Sequence, residues 1–318
     1  MRHVGRRPLL AALPGLALVS ATAGAQQLPL KLGTATAGGG FPVYGAAFIK
    51  AIKAVDPTLV IEEVNTKGST ENVPLLEEGK LDLALVQGEV AQSVFFATDR
   101  PPTTLKVVTA MYASPGMFVV RADSRYRSIV DLKGQAIAWG ARGSGLVILG
   151  RTVVDGIGLD AAKDFEPVYL ERAGDGPAMV IDGQVAALWG GGVRWPGFVA
   201  VANSVHGARF IVPTAGEIDR IVAKHGFLRR LTLPAGMYRG QDEALPTVGS
   251  WSFVLARAGL PDSVGRRLAA ALDNVERSGA HAQQLSETTA KNTLAALPRP
   301  DTLQPGVAAY YREIKLLP

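Results

Sequence analysis

The chain contains no cysteine among its 318 residues. That excludes a disulfide framework, thiolate metal sites, a cysteine nucleophile and a lipid anchor on a leading cysteine. Histidine is scarce as well: His3, His206, His225 and His281 are the only four, and none pairs at an H-x-x-x-H spacing. A catalytic zinc site is therefore not expected, and no metal or cofactor is implied. No Lys/Arg run with interleaved aromatics appears, which argues against nucleic-acid binding. Repeats of fixed period and low-complexity tracts are also missing. Beyond the start of the chain, no apolar run is long enough to cross a hydrocarbon core of about 30 Å.

The start itself is distinctive. Arg2, Arg6 and Arg7 precede an apolar stretch from Pro8 to Val19, and Ala23-Gly24-Ala25 offers a small-residue cleavage site before Gln26. Residues 1–25 read as a secretory signal peptide, too short in its apolar part to be an anchor. The Arg6-Arg7 pair raises twin-arginine export, against which stand Pro8 and the missing flanking pattern. The whole chain carries +5, from 33 basic and 28 acidic residues, but three of those arginines fall in the signal. The mature product, at about +2, is close to neutral, so its basic pI belongs largely to the discarded segment. The full chain's 47% apolar content can supply ordinary cores without disulfides. The expected location is a Gram-negative periplasm.

What is present is an alternation of strand and helix patterns. Leu30–Gly33, Leu59–Val64 and Leu81–Gln87 read as strands. Between and after them, Val43–Val55, Thr70–Glu78 and Glu89–Phe96 read as helices, with Gly79 as a C-terminal cap. Such an order predicts a parallel sheet covered on both faces. Leu105–Met111 reads as a further strand, and Met117–Val120 as another after a break at Ser114-Pro115-Gly116. A second α/β set begins near residue 131, with a strand at Gln135–Trp139, a helix at Gly145–Gly156 and a further strand at Val185–Trp189. Ser250–Ala256 reads as a strand, and Asp262–Ser278 as an amphipathic helix with Asp262 as its N-cap. Two α/β halves imply two lobes around a cleft, where small-molecule sites tend to lie.

The glycine-rich stretch Gly33 to Pro42 follows the first strand and feeds the first helix. Unpaired N–H groups at such a helix start, with the positive end of its dipole, can seat an anion. Thr36, Gly39, Gly40, Phe41 and Tyr44 are the candidate contacts there. A dinucleotide fingerprint fits poorly, since the glycines fall at 38, 40 and 45; a plain tight turn stays open. Gly68, Ser69 and Asn72 follow the second strand, where Ser69 or Thr70 reads equally as an N-cap. Gln87 closes the third strand, and these strand ends form one polar rim. In the second half, Arg142-Gly143-Ser144-Gly145 repeats the loop-to-helix design. Ser144 lacks the G-x-S-x-G setting and a visible histidine partner, so catalysis is not expected. Trp189 and Arg194 flank another glycine run and read either as ligand contacts or as core and surface residues.

These motifs together resemble the TAXI solute-binding proteins of tripartite ATP-independent periplasmic (TRAP) transporters. The opening loop is similar to the family's G-T-G-G-T-G-G-T-Y-Y-P-L-G. Gly68-Ser69-Thr70-Glu71-Asn72, Leu75-Leu76, Gly79, Asp82 and Val86-Gln87 resemble its next block. Val120 to Ser124, Asp131 to Gly134, Gly143 to Gly145, Pro246 to Val248 and the Pro305-Gly306…Tyr310-Tyr311-Arg312-Glu313 ending match further segments. The resemblance implies a two-lobed type II periplasmic-binding-protein fold, lobe I taking residues 26–113 and 258–318 and lobe II residues 114–257. It also implies a non-enzymatic protein that captures a small organic anion or amino acid and delivers it to TRAP transporter membrane subunits.

Gly40, Pro42 and Gln304 depart from the family's usual threonine, tyrosine and histidine. With fewer side-chain donors at the loop, the expected ligand is a monocarboxylate with an apolar or aromatic body. Backbone N–H groups would hold it, joined by Arg142 or Arg194. Rival readings are a binding protein of an ABC importer for a sulfonate or thiamine precursor, a periplasmic hydrolase acting through Ser144, and a partner-sensing protein feeding a membrane receptor.

Overall fold

The computed structural model describes residue 1, residues 29–279 and residues 282–318. The expected signal peptide, Met1 apart, lies outside the described residues, as does His281. Among the described residues, ten strands and ten α-helices follow in order. The first half runs β1 (Leu30–Gly33), α1 (Gly40–Val55), β2 (Ile61–Val64), α2 (Ser69–Glu77), β3 (Leu83–Val86), α3 (Gly88–Phe95) and β4 (Lys106–Arg121). Then come β5 (Ala136–Ala141), α4 (Gly145–Gly156), β6 (Glu166–Leu170), α5 (Gly176–Ile181), β7 (Ala187–Gly191), α6 (Pro196–Ala202), β8 (Ala208–Ile211), α7 (Ala215–Lys224) and β9 (Arg229–Leu233). β10 (Leu245–Ala256), α8 (Asp262–Ser278), α9 (Ala290–Ala296) and α10 (Pro305–Glu313) complete the chain.

The strands pair in the order β2-β1-β3-β10-β4-β7-β5-β6, with β8 also on β4 and β9 on β10. β1 lies parallel to both β2 and β3, and β5 parallel to β6 and β7, as strand–helix–strand units require. β4 and β10 are antiparallel to each other and run through both halves. Packing follows the same division. Leu32, Phe48, Leu83 and Val254 share one buried cluster, and Leu76, Val86, Val107 and Phe253 another. Phe118, Trp139, Trp189 and Val248 form a third, and Met117, Leu188, Phe198 and Leu233 a fourth. The long strands thus pass from one pair of cores to the other near Pro115 and Gly249. This is a two-lobed α/β architecture, as expected from the sequence.

Several local expectations change. α1 begins at Gly40, three residues earlier than the apolar pattern suggests, because Gly39 is the extended N-cap and Pro42 fits the first turn. The expected break at Ser114-Pro115-Gly116 is continuous strand. Proline is tolerated there because β4 changes partners at that point: Pro115 opposes Gly249 of β10, and Gly116 opposes Gly191 of β7. Asp262 is the first helical residue of α8, with Pro261 at the N-cap. The elements α6, β8, α7 and β9 were not anticipated. Gln304, the departure in the tail motif, caps α10: its Oε1 accepts from Val307 N, while its Nε2 donates to Asp262 Oδ1 and Leu260 O.

Candidate functional site

The C-terminal ends of β1, β2, β3 and β5 meet in the cleft, each feeding a helix whose first N–H groups have no partner in their own helix. At α1 these are the N–H groups of Gly40 and Phe41; Pro42 brings none, and no side chain caps the end. At α2 the N-cap is Gly68, held at φ 112°, a conformation that glycine alone adopts without cost. Neither Ser69 nor Thr70 therefore caps this helix. Ser69 Oγ instead accepts from Gln87 N at 3.0 Å, tying the second rim motif to the third. Gly145 opens α4, where Ser144 Oγ accepts from Leu146 N.

These starts surround a cavity of about 40 Å³. Of the expected contacts, Thr36, Gly39, Gly40, Phe41, Gly68, Ser69, Gln87, Ser144 and Trp189 line it. Gln87 is the most telling. It is 2% exposed; its Oε1 accepts from Ser252 Oγ, and its Nε2 has no hydrogen-bond partner. A buried amide donor left unmade costs about 1–3 kcal/mol, so a ligand acceptor there recovers free energy. Trp189 contributes only its ring, since its Nε1 donates to Leu146 O at 2.7 Å.

Four expected contacts stand elsewhere. Asn72 is fully buried beneath the rim: its Nδ2 donates to Thr34 O at 2.9 Å and to Leu85 O at 2.8 Å, and its Oδ1 accepts from Thr66 Oγ1 at 2.8 Å. It braces β1 against β3, so Asn72→Ala is expected to cost about 2 kcal/mol of stability by orphaning these groups. Denaturant unfolding reads that loss, and a change under 0.5 kcal/mol would remove the bracing role. Arg142 is exposed in an outer groove with its guanidinium 5.4 Å from the Tyr169 ring centroid. Tyr44 and Arg194 line a second cavity next to the first.

Sequence reading missed Lys67, Tyr112, Ser114, Trp139, Leu146 and Trp195, which also line the main wall. Trp139 lies on β5 two residues before its end, so the strand-end rule that found Gln87 reaches its neighbourhood. Tyr112 and Ser114 lie on the crossing strand where a break was expected.

The two lobes touch across the cleft. Gly143 O accepts from Thr70 N at 3.3 Å and Thr70 Oγ1 at 3.0 Å. Thr36 Oγ1 accepts from Ala173 N, and Ala37 O from Gly174 N, both at 3.2 Å. The described histidines stand apart from Ser144, each against an aspartate: His225 Nε2 is 2.7 Å from Asp155 Oδ2, and His206 Nδ1 is 3.3 Å from Asp123 Oδ2. No described helix is long and apolar enough to cross a membrane.

The model of the NMT1-like family matches residues 32–314. Among solved structures, the effector-binding domain of a BenM variant is similar with a TM-score of 0.51 at 10% identity, over 80% of this chain and 97% of that one. The periplasmic aliphatic sulphonate-binding protein SsuA from Escherichia coli gives 0.47 at 20%, over 89% and 82%. A TctC solute-binding protein from Polaromonas gives 0.47 at 17%, over 92% and 100%.

Proposed function

The chain belongs to the NMT1-like family, and from that premise we propose that it is a non-enzymatic, extracytoplasmic solute-binding protein. It captures a small organic acid or amino acid between its lobes and delivers it to the membrane subunits of a TRAP transporter. Residues 26–113 and 258–318 form one lobe and residues 114–257 the other. The motif order from Gly33 to Glu313 supports the TRAP partnership, and the leading basic-apolar segment supports export to a periplasm.

One observation carries the binding role. Three helix starts and the Gln87 side chain line a cavity with no carboxylate on its wall. Their dipoles and N–H groups favour an anion. Trp139, Trp189 and Phe41 give its body an apolar surround. Hinge closure then traps the ligand, to the extent that it binds the closed state better than the open one.

Calorimetry and thermal shift against a panel of organic acids test this. Monocarboxylates with an apolar or aromatic body are expected to bind and to raise the unfolding midpoint by mass action. Gln87→Leu should weaken the best of them about tenfold, the worth of one hydrogen bond to a charged group. Tight binding of sugars or dicarboxylates alone would overturn the reading.

A further inference from the structure

The main cavity does not end at the glycine loop. A second cavity of about 100 Å³ abuts it, and Gly40, Tyr112, Gly191 and Trp195 line both. The partition is thin: a methyl group on Gly40 would stand 3.3 Å from the Tyr112 hydroxyl and 3.7 Å from Trp195 Nε1. Trp195 Nε1 is buried without a hydrogen-bond partner among the described residues. The main cavity, at about 40 Å³, has room for a few waters or a small ligand group, a single water needing about 10–15 Å³ by the same measure. A ligand body longer than this can continue past the Tyr112–Trp195 partition into the annex.

The annex has its own chemistry. Its charged lining residues are Glu287 and Arg194, which approach from opposite lobes without forming an ion pair. Arg194 is exposed, on a left-handed backbone at φ 52°. Glu287 is half-buried; its Oε2 accepts from Ala113 N at 2.9 Å, and its Oε1 takes no hydrogen bond from the described residues. A partly desolvated carboxylate oxygen left free at the end of a passage is an acceptor waiting for a donor.

We infer that the annex is a specificity subsite for the far end of an extended monocarboxylate, where Glu287 Oε1 accepts a hydrogen bond from a terminal ammonium or hydroxyl. The inference rests on the solute-binding reading above. It adds a length requirement and a terminal donor to the ligand class. Arg194, at the exposed side, balances the carboxylate when no donor is present and is screened by solvent.

Four probes test it by calorimetry: hexanoate, 6-aminohexanoate, 6-hydroxyhexanoate and adipate. The amino and hydroxy acids are expected to bind about tenfold more tightly than hexanoate, one charged hydrogen bond's worth. Glu287→Gln retains an acceptor for Ala113 N and turns an amide N–H₂ toward the annex. It should erase the advantage of 6-aminohexanoate and leave hexanoate unchanged. Equal affinity for hexanoate and its two donor-ended analogues would overturn the subsite while leaving the solute-binding role intact. A preference for adipate that survives Glu287→Gln would also overturn it, assigning the annex to Arg194. Failure of every acid, in this set and in the wider panel, would sink the solute-binding reading and this inference with it.

Discussion

Gly143→Ala is expected to bind the best acid of the panel roughly 100-fold more weakly than the wild type, a loss of about 2.7 kcal/mol. Gly143 stands where the lobes meet, and a methyl group on it would lie 2.6 Å from Lys67 O and 2.7 Å from Lys67 Cβ. Its backbone is outside the left-handed region, so alanine is unstrained in the open protein and clashes only on closure. The same residue's carbonyl takes both hydrogen bonds from Thr70, which the displaced lobes would lose. Because the ligand gains only from its preference for the closed state, a wedge at this contact is read directly as affinity. The midpoint of the ligand-free variant should move by less than about 2 °C, since no core is touched. Affinity within threefold of wild type would mean that this contact is absent from the liganded state.

The second large effect concerns Glu89, near the start of α3. It is 4% exposed and neither carboxyl oxygen has a hydrogen bond of proper geometry, although Gln87 and Ser250 stand close enough to act on it. Burial pushes its pKa from an ordinary 4.5 up to about 7, with Ser250 and Gln87 opposing weakly. Between those values the folded protein holds a proton that the unfolded chain has released. Stability therefore falls as pH rises through that window and levels off above about pH 7. The shift corresponds to about 3 kcal/mol. Glu89→Gln, which has no proton to lose, should be more stable than wild type by about that amount at pH 8 and equal to it near pH 4. Unfolding midpoints measured across this range would decide it: curves that stay parallel would show that Glu89 does not titrate in the window.

What could be read from sequence was local. The glycine loop, its strand and α1 announce themselves within a few residues, because a strand ending and a helix start are both short-range events. Thr36, Gly40 and Gln87 followed from that logic and reach the cavity. Ser69 shows its limit: serine after a loop reads as a cap, but Gly68 takes that place, freeing Ser69 to bind the Gln87 backbone. Asn72 looked like a rim contact by its neighbours, yet its hydrogen bonds run inward to β1 and β3. Tyr112, Trp139 and Trp195 join the wall only because sheet order brings β4, β5 and the start of α6 together, a non-local fact. The capping box of Thr214 and Glu217 was legible, and reading it would have revealed α7 in the stretch left unassigned.

The route of the backbone has a consequence for how the chain acquires its structure. The two cores lined by Trp139 and Phe198 draw only on residues between Met117 and Val248, one uninterrupted run. The core around Phe48 needs Leu268, Val307 and Tyr311 from α8 and α10, more than 200 residues later. Delivered N-terminus first, the chain can complete its second lobe while the first still waits for its closing helices. Until α8 and α10 arrive, the core that β1, β2 and α1 share is incomplete. The glycine loop is therefore synthesised well before the helices that complete the core beneath it.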